Sequence, residues 1–158
     1  MRQAGFKTTT AVDVKKYCCE TMRLNHPDTE VIQGTIASLE GTFDRYDMVV
    51  GGPPCPEFST ANIKHTNDAS EVNRFWRIVQ ETGARHVIME NVQGVLNFLP
   101  AAAKPYKKHV VIAADYGVPQ TRTRAIVTDL PRPQQTHTKH PDQTTLFGKP
   151  LPQWVSIR

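Results

Sequence analysis

The chain has 158 residues, 39% of them hydrophobic, which suits one globular domain and leaves little room for two. Nineteen Lys and Arg against fifteen Asp and Glu give a net charge of +4, a mild surplus that permits a nucleic-acid partner without arguing for one. The longest apolar runs, Val110 to Ala114 and His86 to Met89, are far too short to cross a bilayer, so no helical membrane span is expected.

From the start of the chain, Ala11-Val12 closes a short strand, and Val14 to Leu24 reads as a helix ending at Asn25-His26-Pro27. Val31-Ile32 is a weak strand. Tyr46 to Val50 is a buried strand stopped by Gly51-Gly52-Pro53-Pro54. Asp68 and Glu71 have capping-box spacing, and Val72, Phe75, Trp76 and Val79 follow at i, i+3, i+4 and i+7, the apolar stripe of a helix that stops at Gly83. His86 to Met89 is the next buried strand, Gly94 to Leu99 a short helix, and His109 to Ala114 and Ala125 to Thr128 two further strands. From Pro131 onward prolines and polar residues replace the periodic pattern, which predicts an extended tail. Strands alternating with helices predict an α/β fold with a mostly parallel sheet covered by helices on both faces.

In such a sheet, ligands sit beyond the carboxyl ends of the strands. Asp13 follows the first strand, Cys55 lies in the loop after Tyr46 to Val50, Glu90 follows His86 to Met89, and Asp115 follows the strand after that. Cys55 is bracketed by Pro54 and Pro56, whose rings fix the backbone, and Gly51 and Gly52 permit close approach. A lone cysteine is usually a small buried hydrophobe, but a proline-bracketed loop is a poor core position. Cys18 and Cys19 sit on an amphipathic helix, where packing suffices to explain them. Adjacent cysteines rarely bridge and no CxxC spacing suggests zinc, so the cysteines point to a reducing cytoplasm and no metal. Glu90 reads equally well as a helix cap. Gln120, Arg122 and Arg124 alternate ahead of a strand, which would aim all three side chains one way, or form only a solvated basic edge.

Gly51 to Ser59 (GGPPCPEFS), then Glu90 to Val92 (ENV), then Asp115 to Arg124 (DYGVPQTRTR) resemble, in order, the motifs of the cytosine-5 DNA methyltransferases. The likeness covers roughly Ala4 to Arg124. It implies a truncated Rossmann-like S-adenosylmethionine-dependent methyltransferase fold and a methyl transfer from S-adenosylmethionine to C5 of a cytosine flipped out of duplex DNA. Cytosine is a weak carbon nucleophile, so a thiolate from Cys55 would first add at C6. Glu90 would hold and protonate N3, and Arg122 and Arg124 would orient the nucleophile, base and phosphates. The resemblance also gives Asp13, Val14, Thr35, Ile36 and Pro53 to the cofactor, and Pro54, Ser59, Asn91, Val92 and Gln120 to the substrate.

The departures from that pattern carry their own expectations. The family's glycine-rich turn after a first strand precedes the point where this chain begins, Thr35 stands where an aspartate is usual, and Pro56 replaces a glutamine. The interval from Glu90 to Asp115 is short, so its helix is expected to be trimmed. Residues 1–130 would then form a partial catalytic domain and 131–158 a Pro-rich tail leading toward an absent target-recognition domain. A complementary chain or a second copy would supply missing elements. A tRNA cytosine-5 methyltransferase of the same family, and a non-catalytic remnant that binds nucleic acid, stay open as alternatives.

Overall fold

The computed structural model describes residues 5–39, 41, 45–54, 68–140, 142–144 and 148–156. The chain divides into two compact units, Met1–Asp44 and Arg45–Arg158.

The first unit is a β-α-β arrangement of β1 (Thr10–Asp13), α1 (Lys16–Asn25) and β2 (Glu30–Gln33). The strands pair in parallel from Thr10 opposite Glu30 to Asp13 opposite Gln33, as a helical crossover between them permits. α1 turns Cys19 inward, fully buried, with its Sγ 3.3 Å from the Asp13 carbonyl. Arg23, in the last turn where a cation favours the helix dipole, reaches on to donate from Nη2 to the Val31 carbonyl at 2.8 Å. Gly34 N donates to Asp13 O at 3.0 Å, so the carboxyl ends of β1 and β2 meet at one point.

The second unit holds β3 (Met48–Gly51), α2 (Ser70–Thr82), β4 (His86–Asn91), β5 (Lys107–Ile112) and β6 (Thr123–Thr128), in the sheet order β3-β4-β6-β5. β3 and β4 are parallel with α2 as their crossover, while β6 runs antiparallel to both neighbours. The connection from β5 to β6 contains a single 3-10 turn, Ala113–Tyr116, rather than a crossover helix, so the chain returns antiparallel. β3, β4 and β5 therefore point the same way and β6 alone is reversed.

α2 presents Val72, Phe75, Trp76, Ile78 and Val79 to a core completed by Val87, Met89, Val95, Ala125 and Val127. Each such burial stabilises by roughly 1.5–3 kcal/mol for a large side chain. The helix can come this close because Gly51 has no side chain, since a Cβ there would lie 2.8 Å from Phe75 Cε2. Trp76 packs against Tyr106 with centroids 4.8 Å apart and ring planes tilted by 45°, and its buried indole N–H has no partner among the described residues.

Several boundaries differ from the sequence reading. The N-cap of α2 is Ala69, because Asp68 spends its carboxylate on Ser70 N and Glu71 pairs with Arg74 instead of closing a capping box. Glu90 and Asn91 belong to β4 itself, and Ala113 and Ala114 belong to the turn after β5. Between β4 and β5 lie two 3-10 turns, Gln93–Phe98 and Ala101–Ala103, where a trimmed helix was expected. The first unit also holds a 3-10 turn at Ile36–Leu39, which the sequence did not reveal.

One edge strand of each sheet has a carbonyl occupied by an arginine side chain. Arg23 occupies the Val31 carbonyl on the free side of β2, and Arg132 Nη2 donates to the Val110 carbonyl on the free side of β5 at 2.9 Å. Described residues after β6 form no helix or ladder strand, and isolated bridges at Thr138–Gln153 and Thr144–Pro150 link parts of this segment to each other. Among the described residues, no helix is long and apolar enough to cross a membrane.

Candidate active site

In the second unit, the carboxyl ends of β3 and β4 and the start of β6 lie side by side, and Glu90 and Arg124 meet there. Asn91 is opposite Ala125 in the antiparallel pairing, which brings the preceding Glu90 and Arg124 within reach of each other. Glu90 Oε1 lies 2.8 Å from Arg124 Nε, with the glutamate side chain 47% exposed and the arginine 20%. Arg124 Nη1 also donates to the Thr123 carbonyl at 2.7 Å, which fixes the guanidinium plane. The other glutamate oxygen faces Gly52, where a Cβ would lie 3.3 Å from Oε2 and 3.6 Å from the Glu90 carbonyl. The two glycines of the Gly51-Gly52 pair thus admit two of the protein's own groups, Phe75 on one side and the Glu90 carboxylate on the other.

Asn91 performs a different task from its neighbour. It is 5% exposed, its Nδ2 donates to the Pro53 carbonyl at 3.0 Å, and its Oδ1 accepts from Val92 N at 2.8 Å. The amide is consumed inside the protein, where it braces the loop after β3 against the end of β4. Pro53 is buried and Pro54 exposed at the start of that loop. Cys55 and Ser59 follow and lie outside the described residues.

The alternation expected of Gln120, Arg122 and Arg124 does not extend across all three, because β6 starts only at Thr123. Gln120 sits in a turn in which its N–H donates to the Val118 carbonyl at 2.7 Å, and Arg122 is exposed at the neck of the loop. Asp115, one of the four groups at strand ends, is engaged elsewhere: its Oδ1 accepts from the Trp154 indole at 3.0 Å. The sequence offered no signal for that contact across 39 positions.

The first unit brings Asp13 and Thr35 together at the ends of its two strands. Asp13 Oδ1 accepts from Lys15 N at 2.8 Å, which leaves its second oxygen without a partner among the described residues. Thr35 Oγ1 lies 3.5 Å from Ser38 Oγ. Val14 is 58% exposed and Ile36 half-buried beside them in sequence. An exposed carboxylate oxygen next to apolar side chains fits a ribose with vicinal hydroxyls, the group S-adenosylmethionine would present.

The family model for C-5 cytosine-specific DNA methylase matches residues 1–150. The chain belongs to that family. It is 33% identical over 195 residues to the Type II methyltransferase M.AquIA of Picosynechococcus sp., covering 98% of this chain and 79% of that relative. It is 30% identical over 161 residues to the Type II methyltransferase M.NgoMIV of Neisseria gonorrhoeae, covering 90% of this chain but half of the relative. Among solved structures, an E. coli prophage-encoded protein described as a DNA modification methyltransferase superposes with a TM-score of 0.63 at 26% identity, over 80% of this chain and 40% of that one. Spodoptera frugiperda DNMT2 shares the fold at a TM-score of 0.58 and 21% identity, over 80% of this chain and 44% of that one. The fold is therefore that of a methyltransferase.

Proposed function

We propose that this chain is the catalytic core of a DNA (cytosine-5) methyltransferase acting on a flipped cytosine in duplex DNA in the cytoplasm. The observation that carries the reading is the Glu90–Arg124 pair, set beside the Asn91–Pro53 brace that holds the loop running into Cys55. A Cys55 thiolate adds to C6 of the base, and C5 becomes electron-rich enough to accept a methyl group. Glu90, oriented by Arg124, holds the N3 edge of the ring through the oxygen that Arg124 leaves free, and supplies a proton there as the adduct forms. Return of the N3 proton to Glu90, loss of the C5 proton to water and departure of the thiolate restore the aromatic base. Arg122, exposed at the loop neck, contacts phosphate, and Pro54, Ser59, Val92 and Gln120 line the base. S-adenosylmethionine supplies the methyl group when bound, held in the first unit by Asp13, Val14, Thr35 and Ile36. Residues 1–130 make up the catalytic part, and 131–158 the Pro-rich segment beyond it.

We also propose a protein partner, a complementary chain or a second copy. What supports it is the contrast between sealed and open edges: Val12 on β1, and Met48 and Val50 on β3, turn their backbone groups to sides where no described residue pairs with them, and Val50 is 47% exposed.

Transfer of labelled methyl from S-adenosylmethionine is to be measured on mixed-sequence duplex DNA and on tRNA in parallel, with Cys55→Ser as control. Label on DNA that disappears in Cys55→Ser is the expected result. Label on tRNA alone would replace the substrate, and no label on either would leave the non-catalytic reading. A single monomeric species in sedimentation with one cooperative unfolding transition would remove the partner.

A further inference from the structure

The loop from Ala113 to Arg122 joins β5 to β6 and opens at the same sheet edge as Glu90, since β4 and β5 run the same way. Its neck is closed by Ala113 N donating to Arg122 O at 2.9 Å, and Gly117, Val118 and Gln120 donate to carbonyls within the loop. Among the described residues, every other hydrogen bond to this loop comes from residues 133–154. The Asp115 carbonyl accepts from Thr136 N and His137 N, each at 2.9 Å, and from Thr136 Oγ1 at 3.5 Å. The Asp115 carboxylate accepts from Trp154 Nε1 at 3.0 Å, and Tyr116 donates its hydroxyl to the Pro133 carbonyl at 3.3 Å. Gly117, at φ +82°, lies against the His137 ring, where a Cβ would come within 2.7 Å of Cε1.

Trp154 is itself anchored. Its backbone N donates to Thr138 O at 2.9 Å, and Thr138 N donates to Pro152 O at 2.8 Å. Thr138 is fully buried, and its hydroxyl donates to Gln143 Oε1 at 2.6 Å while accepting from His140 N at 2.9 Å. A polar residue buried this completely, with both hydroxyl roles filled, marks a folded element rather than a loose tail.

We propose that Asp115 and Trp154 are positioning residues for Gln120 and Arg122. Their side-chain hydrogen bond clasps the far side of the loop, so that its near side, which carries Gln120 and Arg122, is held beside Glu90. The consequence for turnover rests on the methyltransferase reading, but the clasp itself does not. Trp154→Phe removes only the donor, Asp115→Ala removes the acceptor, and Asp115→Asn keeps a carbonyl oxygen that can still accept.

The test is hydrogen exchange of peptides covering 113–122 in the intact chain, read beside methyl transfer to DNA. Trp154→Phe and Asp115→Ala should each speed exchange in these peptides about tenfold, the double variant no more than either, and Asp115→Asn should restore protection. Peptides from β4 and α2 should be unchanged. In transfer, kcat should fall roughly fivefold to tenfold with KM for S-adenosylmethionine unmoved, again with recovery in Asp115→Asn. Wild-type exchange in Trp154→Phe, or an increase shared equally by β4 and α2, overturns the clasp. Exchange that rises as expected in a chain whose wild type transfers no methyl group sinks the methyltransferase reading and leaves the clasp standing.

Discussion

The antiparallel pair of β4 and β6 carries a carboxylate contact at each end, and the two ends use their carboxylates differently. Where β4 starts, His86 Nδ1 lies 2.7 Å from Asp129 Oδ2, and Asp129 Oδ1 accepts from Val87 N at 2.8 Å. Where β4 finishes, Glu90 gives one oxygen to Arg124 and turns the other toward Gly52. Asp129 is 29% exposed and Glu90 47%. A carboxylate with both oxygens committed within the chain has little left for a ligand. One with a single oxygen committed is oriented and still available. The same strand pair therefore separates holding the sheet together from presenting a functional group.

The sharpest way to break the comparison is to remove the presented group. Glu90→Gln should lower methyl transfer by roughly 100-fold or more while leaving the unfolding midpoint close to wild type. A large drop in Tm instead would mean that the two ends are alike. At the opposite end, Asp129→Ala leaves Val87 N–H unpaired and should cost about 1–3 kcal/mol of stability by denaturant unfolding, with kcat per folded molecule unaltered. Gly51→Ala drives a methyl group into Phe75 and should cost about 1–3 kcal/mol through overpacking.

A pH series sharpens the same contrast. Burial pushes the Asp129 carboxyl up, but the Val87 N–H and the His86 hydrogen bond outweigh it and hold the group below the ordinary aspartate range. A lowered folded-state value means that the unfolded chain binds more protons. This contribution is accordingly complete above about pH 4 and is lost as the pH falls through the lowered value. Asp129→Asn should flatten Tm against pH in that acid range. The smallest effect is expected at Trp76→Phe, where the lost packing is partly offset because an unpaired buried N–H is lost with it. A penalty under about 2 kcal/mol is expected, against the 3–5 kcal/mol typical of truncating such a residue to alanine.

Much of the fold was legible because short apolar runs bounded by turn residues mark strands, as at Met48 to Val50 and Val87 to Met89. α2 was legible from its apolar spacing, and its end from Gly83, which adopts φ +58°. The reversal of β6 was not, because strand direction depends on how the connection folds, and ten residues of loop do not announce a 3-10 turn. Nor was the start of β6 at Thr123, which leaves Gln120 and Arg122 outside the alternation that their spacing suggested. At the candidate site, Glu90 and Arg124 were named from their positions, but their contact depends on the register between β4 and β6. The inward role of Asn91 and the contacts His86–Asp129 and Asp115–Trp154 join residues distant in sequence or depend on side-chain direction. No local pattern encodes them.

Arg23 and Arg132, each bonded to an edge strand, bear on how the chain survives its own synthesis. A sheet edge with unclaimed carbonyls invites another molecule to extend the ladder, and crowded, newly made copies would meet edge to edge. With Val31 and Val110 already occupied by guanidinium groups, outward growth from β2 or β5 must first displace a charged side chain. Ladder extension is thereby opposed at one edge of each sheet, and replacing Arg132 with a residue that cannot reach Val110 would reopen the edge at β5.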